Sequence, residues 1–302
     1  MDSVSSKQPT TPASDRLAQA VAAMAASDGD YATAIPALFL YRRKAPTEPL
    51  PCIYHLGLAV VAQGAKQVLL DEKAINYGPG QSLLTTVDLP VISQVTRASV
   101  HEPVLALVLT LDAREVTQVA AEMRLAPPRR PPGSSIAVES LDAPLMEALV
   151  RLVNLLAEPA LIPQLAPLIQ REITVRLLAG PHGFRLQHLA FNGSPSQQIA
   201  RAVAWLKQNF KQPLHVDELA ALAHMSPSTF RQHFRSITGT SPLQYQKQLR
   251  LLEARQMMVS QNIDAGRAGG LVGYESPSQF SREYSRLFGA PPREDVRRMR
   301  PT

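Results

Sequence analysis

Apolar residues fall along this chain in two different rhythms. Between 31 and 111 they come in short β-prone runs, 53–54, 58–62, 67–70 and 104–111 among them, separated by Gly57, Gly64, Gly78-Pro79-Gly80 and Pro90. Short runs punctuated by turn residues predict a small antiparallel barrel or sandwich. From 112 to 123 the spacing becomes helical, and the proline-rich 127–133 is expected to stop that helix, because successive prolines remove donors and fix φ. A second helical region is expected over 143–179, broken at Pro159, Pro163 and Pro167. Its apolar positions, Leu145, Leu149, Leu152, Val153, Leu155 and Leu156, then Leu165, Leu168, Ile169, Ile173, Leu177 and Leu178, are denser than one thin helix face requires. They fit either a self-association surface, giving a homodimer, or a simple cover over the barrel. The alanine-rich 18–26, flanked by Asp15, Arg16, Asp28 and Asp30, reads as a short surface helix rather than a secretion signal.

The last third carries an internal repeat. Ser226-Pro227-Ser228-Thr229-Phe230 is matched by Ser276-Pro277-Ser278-Gln279-Phe280, and the match continues through Phe234 with Tyr284, Gly239 with Gly289 and Pro242 with Pro292. A register held through a whole helix and its exit implies two copies of one supersecondary unit. In each copy the serine is an N-cap and the following proline sits where a missing N–H costs nothing, so the helix start is fixed. Ser276 and Gln279 have the spacing of a reciprocal capping box. Phe230, Phe234 and Ile237, like Phe280, Tyr284 and Leu287, recur at i, i+4, i+7 and predict one buried stripe, with a left-handed glycine ending each helix.

The opposite faces carry Ser228, Arg231, Gln232 and Arg235 in the first copy, and Ser278, Gln279, Arg282, Glu283 and Arg286 in the second. Arginine can grip guanine O6 and N7 in a fork, and glutamine can do the same for adenine N6 and N7. Upstream, 217–223 with the turn His224-Met225, and 263–271 with Val272-Gly273-Tyr274, complete two helix-turn-helix units. A connecting helix over 242–260, with Leu243, Leu249, Leu252 and Met257 inward, would be roughly 27 Å long, close to the roughly 34 Å between successive major-groove faces.

Charge sharpens this picture. Residues 1–194 hold 16 Lys+Arg against 17 Asp+Glu, whereas 195–302 hold 15 against 8. The excess of positive charge belongs to the repeat-bearing part, which implies a polyanion partner for one domain only. With 45% hydrophobic and 19% charged residues the composition is that of a folded chain. The single cysteine, Cys52, excludes an internal disulfide and fits a reducing, cytoplasmic setting, and no run approaches the roughly 18 apolar residues of a membrane span.

These motifs resemble the AraC/XylS family of transcription regulators over about 195–301, most specifically through Val272-Gly273-Tyr274-Glu275-Ser276-Pro277-Ser278-Gln279-Phe280-Ser281-Arg282-Glu283-Tyr284 and Leu287-Phe288-Gly289-Ala290-Pro291-Pro292. The first part is similar to the cupin-like domain of one AraC subgroup, through Gln63-Gly64, Tyr77-Gly78-Pro79-Gly80 and Thr86-Val87-Asp88-Leu89-Pro90-Val91. The resemblance implies an α+β two-domain chain: a cupin-like barrel with a helical extension over 1–187, a linker over 188–196, and an all-α DNA-binding domain over 197–302. It implies that the first domain senses a small-molecule effector or dimerises, and that the second binds double-stranded promoter DNA and contacts RNA polymerase. The family's base-reading positions fall on Ser228, Arg231 and Gln232, and on Ser278, Gln279 and Arg282. One departure is the crowding of Gly266, Gly269 and Gly270 in the first helix of the second unit. At about 1 kcal/mol per glycine relative to alanine, that helix is expected to be weak and to order fully on DNA.

The competing class is a cupin-type, metal-dependent enzyme with a basic helical appendage. Its usual histidine cluster is missing: His55 and His101 are isolated, His182 and His188 lie outside the strand region, and His215, His224 and His233 belong to the basic part. No phosphate loop, nucleophile elbow or paired catalytic carboxylate motif occurs, so the expectation is a regulator without enzyme activity or cofactor. A nucleoid protein binding DNA without sequence choice is the third reading.

Overall fold

The computed structural model describes residues 12–128 and 133–299. It opens with helix α1 (Pro12–Met24) and nine strands: β1 (Gly29–Ala32), β2 (Leu38–Arg43), β3 (Leu50–Tyr54), β4 (Gly57–Gln63), β5 (Ala65–Leu70), β6 (Lys73–Tyr77), β7 (Gln81–Thr85), β8 (Leu89–Arg97) and β9 (Val104–Thr110). Helix α2 (Ala113–Glu122), strand β10 (Ile136–Ser140), and helices α3 (Ala143–Asn154), α4 (Ile162–Ala179) and α5 (Gly183–Ala190) follow. The remainder is helical: α6 (Pro195–Asn209), α7 (Val216–Leu222), α8 (Pro227–Thr238), α9 (Pro242–Ser260), α10 (Ala265–Leu271), α11 (Pro277–Phe288) and α12 (Pro292–Met299).

All described strand pairs are antiparallel, in a six-stranded sheet ordered β1-β2-β9-β4-β7-β10 and a four-stranded sheet ordered β3-β8-β5-β6. Period-two alternation gives the larger sheet two different faces. Leu38, Leu40, Leu58, Val60, Leu84, Leu107 and Leu109 pack outward under α1 to α5, while Ala59, Val61, Leu83, Val104 and Ala106 point toward the smaller sheet. This is the expected cupin-like two-sheet body with a helical extension.

Several expectations change. Helix α1 begins ahead of the alanine run and is no surface helix, since Leu17 and Val21 are wholly buried in the core under the sheet. The region after α2 contains a strand, β10, that no local pattern announced; it lies against β7 over Ile136–Ser140. The expected stop at 127–133 falls partly on 129–132, outside the described residues. Only Pro159 breaks the helical region, while Pro163 sits in the first turn of α4 and Pro167 lies inside it. The expected linker 188–196 overlaps two helices, because α5 runs to Ala190 and α6 starts at Pro195, capped by Ser194.

The dense leucines of α3 and α4 divide. Leu145, Leu149, Leu152, Val153, Leu155, Ile173, Leu177 and Leu178 are buried in the chain's own core, whereas Leu161, Leu165, Leu168 and Val175 remain exposed.

Two further cores hold the helical half, and they are not equivalent. The barrel interior continues without a break into Ile199, Leu206, Leu219, Phe230, Phe234, Ile237, Tyr245 and Leu249, so the first helix-turn-helix shares its core with the barrel. The second unit has its own, built on Leu251, Ala254, Met258, Ala268, Phe280 and Tyr284. Helix α9 serves both: Tyr245 and Leu249 face the first core, then Leu251, Ala254 and Met258 face the second. That change of face is why Leu243, expected inside, is 49% exposed.

Polar contacts seal the joint between barrel and helices. The Tyr245 hydroxyl donates to the Asp88 carbonyl at 2.7 Å, and the Asp88 carboxylate receives Lys207 Nζ at 2.6 Å and faces His55 Nδ1 at 3.0 Å. Ser135 donates from both its hydroxyl and its N–H to the Ile237 carbonyl, in the last turn of α8. Gly239 adopts φ +79°, and a Cβ there would stand 2.9 Å from Leu70 Cγ, so the barrel approaches the helix exit closely only because the residue is glycine.

Arg250 ties the two units together. Its guanidinium donates to the carbonyls of Phe210 at 2.7 Å, Gly273 at 2.8 Å and Gln212 at 2.9 Å, while Gln246 Nε2 also reaches Phe210 and Gln212. One side chain thereby satisfies carbonyls left open after α6 and clamps the turn of the second unit. Gly273 makes this approach feasible, with φ +91° and the Lys211 carbonyl 2.4 Å from where a Cβ would be.

Two outcomes follow. Gly273→Ala should cost about 1–3 kcal/mol, seen as lost amide-exchange protection across α11 with α8 still protected; equal loss in both helices would mean that the units do not open separately. For Asp88, burial alone would raise the carboxyl, but hydrogen bonds from His55 and Lys207 hold it below its ordinary range. A depressed folded-state value gives stability that is present above the unfolded pKa and lost as pH falls through the folded one. Acidification below about pH 4 should therefore loosen the joint, read as a change in the fluorescence of Trp205 on α6, and Asp88→Asn should remove that step.

Candidate nucleic-acid interface

Local chemistry sets both candidate recognition helices. Ser226 Oγ accepts from the Thr229 N–H and Ser276 Oγ from the Gln279 N–H, each followed by proline, and each helix ends at a left-handed glycine, Gly239 or Gly289. Phe230 and Phe234 are wholly buried, with Tyr245 edge-on to Phe234 at 5.6 Å. Phe280 and Tyr284 repeat the arrangement, and Tyr274 lies 5.3 Å from Phe280. With one side of each helix fixed by these rings, the other side is fixed by geometry. Ile237 is buried as expected, but Leu287 is only half-buried and lines an interdomain cleft of about 180 Å³ with Pro51, Leu69 and Leu252.

Ser228, Arg231, Gln232 and Arg235 are all exposed on α8, and Ser278, Arg282 and Arg286 on α11. Among the described residues, Arg231, Arg235, Arg282 and Arg286 form no ion pair. The contrast with Arg255 is sharp. That arginine forms two 2.8 Å bonds to the buried Asp295 carboxylate, which also accepts from Tyr284, and stacks 4.5 Å from the Phe288 ring centroid. The chain thus spends inward arginines on structure and leaves four outward ones unmatched, as a phosphate-rich partner requires.

Gln279 and Glu283 depart from expectation. The Gln279 amide does not close a capping box; its Nε2 donates to Glu283 Oε1 at 3.1 Å, and the residue is half-buried. Glu283 is a structural hub rather than part of an open face, accepting also from Lys247 Nζ and the Tyr274 hydroxyl at 2.8 Å each. Burial would raise its carboxyl, but the bonds from Lys247, Tyr274 and Gln279 hold it below the ordinary range. The sequence reading missed Lys247, Arg250 and Tyr274 in these roles. Lys247 and Arg250, which stand within the connecting helix, were the available signal.

The upstream helices also form. In the first unit Leu219, Ala220 and Ala223 are buried and His224 takes φ +51° at the turn. In the second, α10 is helical and capped by Asp264 despite its three glycines. Gly269 has a packing reason, since a Cβ there would stand 3.0 Å from the Phe280 ring. Elsewhere, among the described residues, no three histidine, cysteine or acidic side chains are grouped to hold a metal ion, and no helix is long and apolar enough to cross a membrane.

Comparison with known proteins agrees with this architecture. Residues 219–298 match a helix-turn-helix domain family. An RCS-specific HTH-type transcriptional activator of Escherichia coli, RclR, is 38% identical over 107 residues, 33% of this chain and 38% of its own. The transcriptional regulator GbdR of Pseudomonas aeruginosa is 30% identical over 110 residues, 36% of this chain and 29% of its own, so the matches span well under half of these relatives. Among solved structures, ToxT of Vibrio cholerae with an unsaturated fatty acid bound aligns over 86% of this chain and 94% of its own, with a TM-score of 0.60 at 10% identity, a likeness of fold. Because residues 34–185, half of the chain, match the N-terminal domain of AraC-type transcriptional regulators, with the helix-turn-helix match following them, the chain belongs to the AraC-type regulator family.

Proposed function

We propose that this chain is a cytoplasmic, non-enzymatic transcription regulator that binds double-stranded promoter DNA by sequence, with residues 197–302 as the DNA-binding part and 1–187 as the sensing part. The observation that carries the reading is a pair of serine-capped helices, each with its aromatic side locked in a core and unpaired arginines on the other. Ser228, Arg231 and Gln232, with Ser278, Gln279 and Arg282, are assigned to base edges in two successive major grooves, and Arg235 and Arg286 to the same faces one turn further on. The 19-residue α9 spans about 28 Å, commensurate with one turn of the duplex.

The sensing part is assigned a small-molecule effector. Support comes from the continuous core between barrel and first unit, through which occupancy of the barrel reaches α8, and from the like-folded ToxT, solved with a fatty acid bound. A homodimer is assigned to the exposed Leu161, Leu165, Leu168 and Val175 of the helical extension, spaced four, three and seven residues apart as on one helix stripe. RNA polymerase is the remaining partner of this reading.

Selection of DNA fragments retained by the purified chain should return a defined site, bound about 10³-fold or more above bulk DNA; retention without sequence preference would leave only an architectural binder. On that site Arg282→Ala should cost about 1–3 kcal/mol and relax one base position. Equal weakening on all DNA would reassign Arg282 to a phosphate. Affinity should also fall steeply with salt, with a slope near −0.9 per phosphate neutralised, and a flat response would remove the electrostatic part of the reading.

A further inference from the structure

Inside the barrel the two sheets bring together a set of polar side chains that neither the fold nor the DNA-facing surface uses. Strand register fixes their direction: Tyr41 lies opposite Ala106, Cys52 opposite Val91, Tyr54 opposite Leu89, and Lys66 opposite both Tyr77 and Val95, where Ala106, Val91, Leu89 and Val95 all belong to the buried interior. Lys66 Nζ sits 5.9 Å from the Tyr41 ring centroid and 6.0 Å from that of Tyr54, and 3.5 Å from the Tyr54 hydroxyl, which is itself bonded to Ser93 Oγ at 2.8 Å.

Two features of this cluster are unexplained by structure alone. The ammonium of Lys66 forms no ion pair with any described residue. Its titratable neighbours do not supply the missing charge: burial pushes the Tyr41 hydroxyl up to about 12 and the Cys52 thiol up to about 11, so both stay protonated and neutral at physiological pH. The second feature is Tyr77, only 3% exposed, whose hydroxyl is close to that of Tyr54 but makes no hydrogen bond. A buried donor without an acceptor, next to a cation without an anion, is complementary to a ligand that brings both.

We propose that the barrel interior binds a small organic acid, its carboxylate held by the Lys66 ammonium and the Tyr54 and Tyr77 hydroxyls, and its apolar body lying against the Tyr41 and Tyr54 rings. This rests on the effector reading above and names the chemical class of that effector. The neighbouring arginines, Arg43 and Arg255, are already paired with Asp30 and Asp295, so Lys66 is left as a single uncommitted cation among neutral hydroxyls, which suits a monoanion. Tyr41, Cys52, Tyr54 and Lys66 are each partly exposed, which gives a ligand a route from solvent.

The test is calorimetric titration of the full chain with benzoate, hexanoate and the neutral isostere benzamide, followed also through Trp205 fluorescence. At least one acid should bind saturably at one site per chain, with benzamide weaker by about tenfold or more. Lys66→Met should weaken the acid by a similar factor, Lys66→Arg should retain it, and Tyr77→Phe should weaken it by less. If Lys66→Met fails to fold, the Lys66→Arg and Tyr77→Phe pair with the benzamide comparison still decides. Saturable binding of benzamide as tight as benzoate, equal acid binding by Lys66→Met, or no binding of either acid would overturn the proposal. A neutral metabolite fraction that shifts affinity for the selected DNA site, with neither acid binding, would sink the acid site and leave the effector reading standing; failure of both would sink the two together.

Discussion

Everything on the helical half follows from how two aromatic ridges fix the roll of two helices. A helix with a capped start, a glycine exit and one wholly buried ring stripe has no freedom to rotate about its axis without exposing large apolar area, at roughly 25 cal/mol per Å². Phe230 and Phe234 against Tyr245, and Phe280 and Tyr284 against Tyr274 and Phe288, impose that condition twice. The exposed arginines are consequently presented in a set direction before any partner arrives. Preorganisation of this kind lowers the ordering cost of binding, which otherwise consumes much of the gain from each contact.

The two ridges are anchored differently, and this asymmetry organises the molecule. The first belongs to the barrel as much as to its own unit, because Tyr245 reaches Asp88, Ser135 reaches the last turn of α8, and Leu70 lies against Gly239. The second is held through α9 and through Arg250, with Arg255 and Asp295 closing its far side. A change in the barrel therefore meets α8 through a shared core, whereas α11 touches the barrel only at its rim, where Leu287 faces Pro51 and Leu69, and is otherwise reached along a helix whose inward face switches halfway. Any coupling between the proposed acid site and DNA has this asymmetry built into it.

Much of the site was legible in the sequence because its determinants are local. Serine, proline, glycine and the apolar residues at i, i+4 and i+7 lie within 17 residues of one another, and α8 and α11 begin and end where those residues place them. The strand-rich barrel was legible from its punctuation, without its topology. What escaped depends on distant partners. β10 is a strand because β7 offers an open edge, not because of any pattern in Ile136–Ser140. Pro167 stays within α4 although its ring removes a backbone donor, and Leu243 lies outside because α9 changes the core it serves. The docking of the helical half on the barrel left no local signature, since Asp88, Ser135 and Lys207 are ordinary surface residues until their partners are placed.

The unequal chemistry of the two units has a different origin from the one their glycines suggest. Three glycines in α10 would weaken an isolated helix, yet Asp264 caps it and the missing Cβ of Gly269 lets it settle on the Phe280 ring, where an alanine would press to 3.0 Å. The helix is held by packing rather than by propensity, as short helices in folded chains usually are. The real difference lies on α11 itself. Gln279 and Glu283, which in sequence stand on the same face as Arg282, are bonded to each other and to Lys247 and Tyr274, while their counterparts on α8, Thr229 and His233, make no such network. A glutamine must leave Glu283 before it can pair with an adenine, and Glu283 would then lose one of the bonds that keep its charge tolerable. Gln232 on α8 meets no such competition, so under the proposed reading the second unit leans more on Arg282 and Arg286.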